Sequence, residues 1–173
     1  PIQCASLTAY YPYGVFDANT SQELAGVQKT VTKFVSCRNT ASVTGSRYVG
    51  GIIGCNEKGS NLTVTSSNNY GDVSIVIPAG IQIEEDAPTS DQIKGTSYFI
   101  GGITGRNTST GLILQCYNEG SVKSPSKYLG GLCEVNEGII KNCVIGDAKS
   151  FKIEGKSSVG GIVGLNHTTD PSN

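Results

Sequence analysis

Tyr128-Leu129-Gly130-Gly131-Leu132-Cys133-Glu134-Val135-Asn136 is one of four stretches in which an aliphatic residue, two glycines and a second aliphatic residue precede an asparagine at fixed distance. The others are Tyr48-Val49-Gly50-Gly51-Ile52-Ile53-Gly54-Cys55-Asn56, Phe99-Ile100-Gly101-Gly102-Ile103-Thr104-Gly105-Arg106-Asn107 and Ser158-Val159-Gly160-Gly161-Ile162-Val163-Gly164-Leu165-Asn166. They align without a gap. Self-similarity of this kind marks a repeat architecture, in which each unit buries its apolar side only against its neighbours.

Read as columns, Val49, Ile100, Leu129 and Val159 are equivalent, as are Ile52, Ile103, Leu132 and Ile162. Like side chains in such columns touch when strands lie about 4.8 Å apart, and β-branched groups suit that surface. Asn56, Asn107, Asn136 and Asn166 predict an amide ladder at a bend. The glycine pairs Gly50-Gly51, Gly101-Gly102, Gly130-Gly131 and Gly160-Gly161 predict a close approach that a side chain would block. Tyr48, Phe99 and Tyr128 are expected to stack in the same manner, with Ser158 interrupting them.

A second half-motif lies between the glycine pairs and also precedes the first. Its columns are Phe34/Val64/Ile113/Ile140 and Cys37/Ser67/Cys116/Cys143. Six cysteines would ordinarily raise a disulfide framework. A position shared by Cys and Ser reads as a small buried slot, which weakens the disulfide reading and leaves both free and bridged cysteines open.

From Gly101 to Gly130 is 29 residues and from Gly130 to Gly160 is 30, but from Gly50 to Gly101 is 51. The surplus falls at 75–96, read as either a protruding excursion or a degenerate repeat. Residues 1–30 do not match the repeat and are expected to form an N-terminal cap or linker, with Leu7, Tyr10, Tyr11, Tyr13, Val15 and Phe16 as covering side chains. The expected fold is all-β: a right-handed parallel β-solenoid or β-roll over 31–173, built from repeats of about 25–30 residues. Glycine at 23 of 173 residues, with no tryptophan or methionine, favours stacking of small side chains over a thick core.

Thirteen basic against 14 acidic residues leave a formal charge of −1, so there is no basic stripe for nucleic acid. No apolar run reaches the roughly 18 residues of a membrane span. The start at Pro1 and the stop soon after Asn166 point to an excised portion of a longer parent protein.

Val159-Gly160-Gly161-Ile162-Val163-Gly164-Leu165-Asn166, taken with Ile113-Leu114-Gln115-Cys116-Tyr117-Asn118-Glu119-Gly120-Ser121-Val122, resembles the GLUG-type repeat of bacterial secreted and cell-surface proteins, over roughly 31–167. The third copy departs from it at Glu134, where the other three have glycine. The resemblance implies an extracellular or cell-surface, non-catalytic module of adhesin or spacer type, with a host glycoprotein or surface glycan as partner. No cofactor or metal is implied.

Among candidate chemical groups, the acidic residues Glu84, Glu85, Asp86 and Asp91 in the surplus segment are the binding candidates. Carboxylates suit a hard cation, but the ligand order of known calcium loops is missing, and a solvated charge run is the competing reading. Asp72 and Asp147, each after a glycine, are the best pair for the alternative function, a carbohydrate-active enzyme working in a solenoid groove. Local turn bonding explains such aspartates equally simply. His167 lacks a nucleophile and acid to complete a triad.

Overall fold

The computed structural model describes residues 2–8, 33–56, 61–76, 98–146 and 150–167, the first of these for its backbone alone. Of the surplus segment 75–96 only Ile75 and Val76 are described; 77–97, the segment 9–32 with all the expected cap side chains but Leu7, and Asp147 lie outside the described residues. What is described is all β-strand and turn.

β1 (Ile2–Thr8) is followed by four successive segments of strands. The first holds β2 (Lys33–Asn39), β3 (Val43–Gly45), β4 (Val49–Gly50) and β5 (Ile53–Cys55). The second holds β6 (Thr63–Thr65), β7 (Asn68–Asn69), β8 (Val73–Ile75), β9 (Ile100–Gly101) and β10 (Thr104–Asn107). In the third are β11 (Leu112–Leu114), β12 (Tyr117–Asn118), β13 (Val122–Lys123), β14 (Tyr128–Gly130) and β15 (Cys133–Asn136). The fourth has β16 (Ile139–Lys141), β17 (Val144–Ile145), β18 (Ile153–Glu154), β19 (Ser158–Gly160) and β20 (Val163–Asn166).

Apart from β9 and β14, which belong to the separate pairs β4–β9 and β14–β19, the strands of each segment pair in parallel with their equivalents in the next. β5, β10, β15 and β20 form one ladder and β3, β8, β13 and β18 another, while β2 begins a third that continues as the split strands β6/β7, β11/β12 and β16/β17. Val49 faces Ile100 and Leu129 faces Val159, as the alignment of the glycine motifs places them. β5 pairs directly with β10 and β8 directly with β13. β1 is the exception in direction. It runs antiparallel along the whole of β2, whose other edge is taken by β6 and β7.

The split strands turn on a repeated left-handed residue. Ser36, Ser66, Gln115 and Asn142, one per segment, have φ of 52, 50, 52 and 54°. Glycine would adopt this conformation without strain. Non-glycine residues hold it because neighbouring segments bond across the bend: Ser66 N–H donates to Leu114 O and Gln115 N–H to Lys141 O.

The core is narrow and divided. Ile52, Val64, Ile103, Ile113, Cys116 and Leu132 belong to one buried cluster, and Val49, Val73, Ile100, Val122 and Leu129 to a second. Between them the buried amides of Asn69 and Asn118 reach across to the backbone of the glycine pairs. A methyl group at Gly51 would sit 2.3 Å from Asn69 Cγ, and one at Gly102 2.1 Å from Asn118 Cγ. Asn118 Nδ2 donates to Gly131 O at 2.8 Å. The interior here is one amide thick, which is why glycine is required opposite.

Two amide ladders run along the stack. Asn56 Nδ2 donates to Asn107 Oδ1, Asn107 Nδ2 to Asn136 Oδ1 and Asn136 Nδ2 to Asn166 Oδ1, at 2.8, 2.8 and 2.7 Å. The second joins Asn39 to Asn69 and Asn69 to Asn118, each at 2.8 Å, and stops where Ile145 occupies the next register position. Removing an inner amide strands two buried partners, each worth about 1–3 kcal/mol when unsatisfied. Asn107→Ala, which leaves Asn56 Nδ2 and Asn136 Oδ1 bare, is therefore expected to cost about 3 kcal/mol in urea unfolding. A loss no larger than that of an exposed-site alanine would contradict the ladder's energetic role.

At Cys37 the disulfide alternative holds. This cysteine is disulfide-bonded, and its Cα partner across the β1–β2 pair is Cys4. The small slot fits, but β1 lies outside the repeat, so column alignment does not reveal the strand that faces Cys37. Cys116, Cys133 and Cys143 are free thiols.

The two ends of the stack differ. Val49 and Ile52 in the first segment are buried, whereas their equivalents Val159 and Ile162 in the last are 43% and 36% exposed, and Ile139 and Val144 are also exposed. Among the described strands, nothing pairs with β16 to β20 on their far side.

Candidate functional site

Side chains alternate across a strand, so the residues flanking each inward amide of the second ladder point outward. Arg38, Asn68 and Tyr117 precede Asn39, Asn69 and Asn118 in register, and Tyr70 and Glu119 follow Asn69 and Asn118. These residues come from three successive strands and form one outward strip.

The strip is organised by ring contacts. The Arg38 guanidinium lies 4.7 Å from the centre of the Tyr70 ring, within the range of a cation–π contact. Tyr70 meets Tyr117 edge to face, with centroids 5.9 Å apart and planes at 65°. The Tyr117 hydroxyl donates to Glu119 Oε2 at 3.2 Å. Tyr70 is 37% exposed and Arg38 is exposed beside it. The result is an aromatic surface with a cation at one end and a carboxylate at the other.

A second aromatic group is more enclosed. Tyr48 stacks on the buried Phe99 with centroids 4.8 Å apart and planes within 5°. Arg47 lies 5.0 Å from the Tyr48 ring centre. Arg106 lies 5.4 Å from that of Phe99 and pairs with Glu137 through Nη2 and Oε1 at 2.7 Å. Tyr128 carries the Lys127 ammonium 5.8 Å from its ring centre.

The candidate acids fare differently. Glu84, Glu85, Asp86 and Asp91 fall outside the described residues, as does Asp147. Asp72 is exposed, and its Oδ1 accepts from Ser121 N–H at 2.9 Å, a turn bond to the next segment. Gly146 lies against Glu119, one register position short of the site shared by Gly71 and Gly120. His167 N–H donates to Asn136 O, and its Nδ1 is enclosed rather than exposed. Among the described residues, no three His, Cys, Asp or Glu side chains are grouped to hold a metal ion.

One buried acid stands out. Glu134 is fully buried where the other copies have Gly54, Gly105 and Gly164. Its Oε2 accepts from Ile100 N–H at 3.0 Å, while Oε1 has no partner. Burial pushes its carboxyl up to about 8 against the pull of the Ile100 N–H, the Ser126 hydroxyl and the Phe99 N–H.

Alignment by glycine motifs passes over the Arg38–Tyr70–Tyr117–Glu119 strip because its residue types change from segment to segment. The available signal is position: each flanks a ladder asparagine, so strand alternation alone sends it outward. Searches of protein-family models, of curated proteins and of solved structures return no match to this chain.

Proposed function

We propose that the chain is a non-catalytic, extracellular β-solenoid module of a bacterial surface or secreted protein, of GLUG-repeat type and right-handed. Its role is adhesion to a host glycoprotein or surface glycan. Parallel pairing of every segment with its equivalent in the next supports the solenoid. The motif resemblance supports the family and the compartment.

The observation that carries the binding role is the outward strip. Aromatic faces suit the apolar faces of sugar rings, and the Arg38 and Glu119 side chains supply a donor and an acceptor for hydroxyls. By contrast, the regular aliphatic, glycine and asparagine columns are consumed by the fold.

The test is binding to arrayed glycans and mucin, followed by Tyr70→Ala. Loss of the ring should weaken binding about tenfold, or 1.4 kcal/mol, while a half-exposed site leaves stability within about 0.5 kcal/mol. A wild-type chain that binds no glycan or mucin would instead favour a spacer. Binding that survives Tyr70→Ala and Tyr117→Ala together would move the contact away from this strip.

A further inference from the structure

The Cys/Ser column contains a feature that neither the fold nor the proposed surface uses. Cys116 and Cys143 are both free and occupy equivalent positions in the third and fourth segments. Their strands are in register on both sides: Leu114 faces Lys141 and Tyr117 faces Val144. Cys116 and Cys143 therefore stand opposite each other on one side of a parallel ladder. In-register partners lie about 4.8 Å apart, within the roughly 4.4–6.8 Å that a disulfide spans between Cα atoms. The Cys143 sulfur already touches the Cys116 backbone, whose N–H donates to Cys143 Sγ at 3.4 Å.

We propose that Cys116 and Cys143 form a reversible dithiol–disulfide site whose oxidising substrate is a low-molecular-weight disulfide. The two thiols are unequal in the way such chemistry needs. Cys116 is buried, with its thiol bonded to Leu114 O at 3.2 Å, whereas Cys143 is half-buried between the exposed Asn142 and Val144. Contact with the Cys116 thiol, together with the Cys116 N–H, lowers Cys143 to about 7 despite burial, while the same contact and burial raise Cys116. Cys143 is thus the attacking thiolate and Cys116 the resolving thiol.

In the first step the Cys143 thiolate attacks one sulfur of the substrate disulfide. A mixed disulfide forms on Cys143 and one substrate thiolate leaves, to be protonated by solvent. Cys116 then attacks the Cys143 sulfur as its proton passes through solvent to the departing substrate sulfur. The Cys116–Cys143 bond forms and the second substrate thiol departs. The protein dithiol loses two electrons and the substrate disulfide gains them.

Ser67 isolates this site from the bonded Cys37. It holds the slot between Cys37 and Cys116, accepting from Cys37 N–H at 3.1 Å and donating to Thr65 O at 2.9 Å. No thiol there can pass the exchange onward. Its presence also shows that the slot accepts a hydroxyl, so serine is a conservative replacement at 116 and 143.

The native chain, treated with oxidised glutathione at pH 8, acid-quenched, alkylated and mapped without reduction, should lose the mass of two hydrogens. It should yield a Cys116–Cys143 linked peptide. Cys116→Ser should stop at one glutathionyl group on Cys143, and Cys143→Ser should take up none at Cys116. A wild-type chain in which both thiols are still alkylated, or in which Cys143 stays glutathionylated without closing, overturns the proposal. So does a Cys143→Ser chain that reacts at Cys116 at the wild-type rate. Should either serine variant fail to fold, the wild-type map alone decides.

Discussion

Gly102→Ala should prevent folding or cost more than about 5 kcal/mol, at the extreme of single-substitution effects. The added carbon would lie 2.1 Å from Asn118 Cγ and 2.4 Å from Gly131 O. One neighbour is backbone, and the other is a ladder amide bonded to Gly120 O and Gly131 O, so neither can move without breaking buried bonds. The equivalent change at the open end should behave differently. At Gly161 the added carbon would meet only Ile145 Cδ1, at 3.3 Å. Gly161→Ala is expected to cost less than about 1 kcal/mol, as a small packing adjustment does. Urea unfolding of the two variants side by side makes the comparison. Equal losses would mean that glycine serves backbone conformation rather than the close approach of the next segment.

Glu134 should make stability fall with rising pH. In the unfolded chain its carboxyl titrates near 4.5, and in the folded chain near 8. Below 4.5 it is protonated in both states and costs nothing extra. Between these values folding takes up a proton, and above 8 a buried charge is carried unpaired, so the loss grows through this window and then levels. At 1.36 kcal/mol per unit the full loss approaches about 5 kcal/mol. Glu134→Gln keeps an acceptor for Ile100 N–H but cannot ionise. Its stability should match the native chain at pH 4 and exceed it by several kcal/mol at pH 9. Parallel pH profiles for the two would refute this assignment.

The all-β class is legible because the repeat makes the same demand at each position. Val49, Ile100, Leu129 and Val159 need the same environment, and stacked parallel strands supply it. The glycine pairs also announce a close approach, although not what approaches. That partner is the second amide ladder, whose Asn39, Asn69 and Asn118 stand in a half-motif ending in Ile145 instead of asparagine, so the column looks incomplete. The left-handed turns are hidden for another reason. Glycine usually marks them, and here Ser36, Ser66, Gln115 and Asn142 are held in place by bonds between segments. Sequence position says nothing about such bonds. The outward strip is harder still to read, since Arg38, Tyr70, Tyr117 and Glu119 share no residue type and are united only by register.

The amide ladders also give the stack an electrical direction. In both of them every amide–amide bond runs from the Nδ2 of the earlier segment to the Oδ1 of the later one, so the side-chain dipoles add rather than cancel. A helix sums its peptide dipoles in the same way. The later end, at the exposed Asn166, is accordingly the hydrogen-presenting pole. It favours a carbonyl or carboxylate oxygen as its next neighbour, and an approaching ammonium or guanidinium would meet an opposing field.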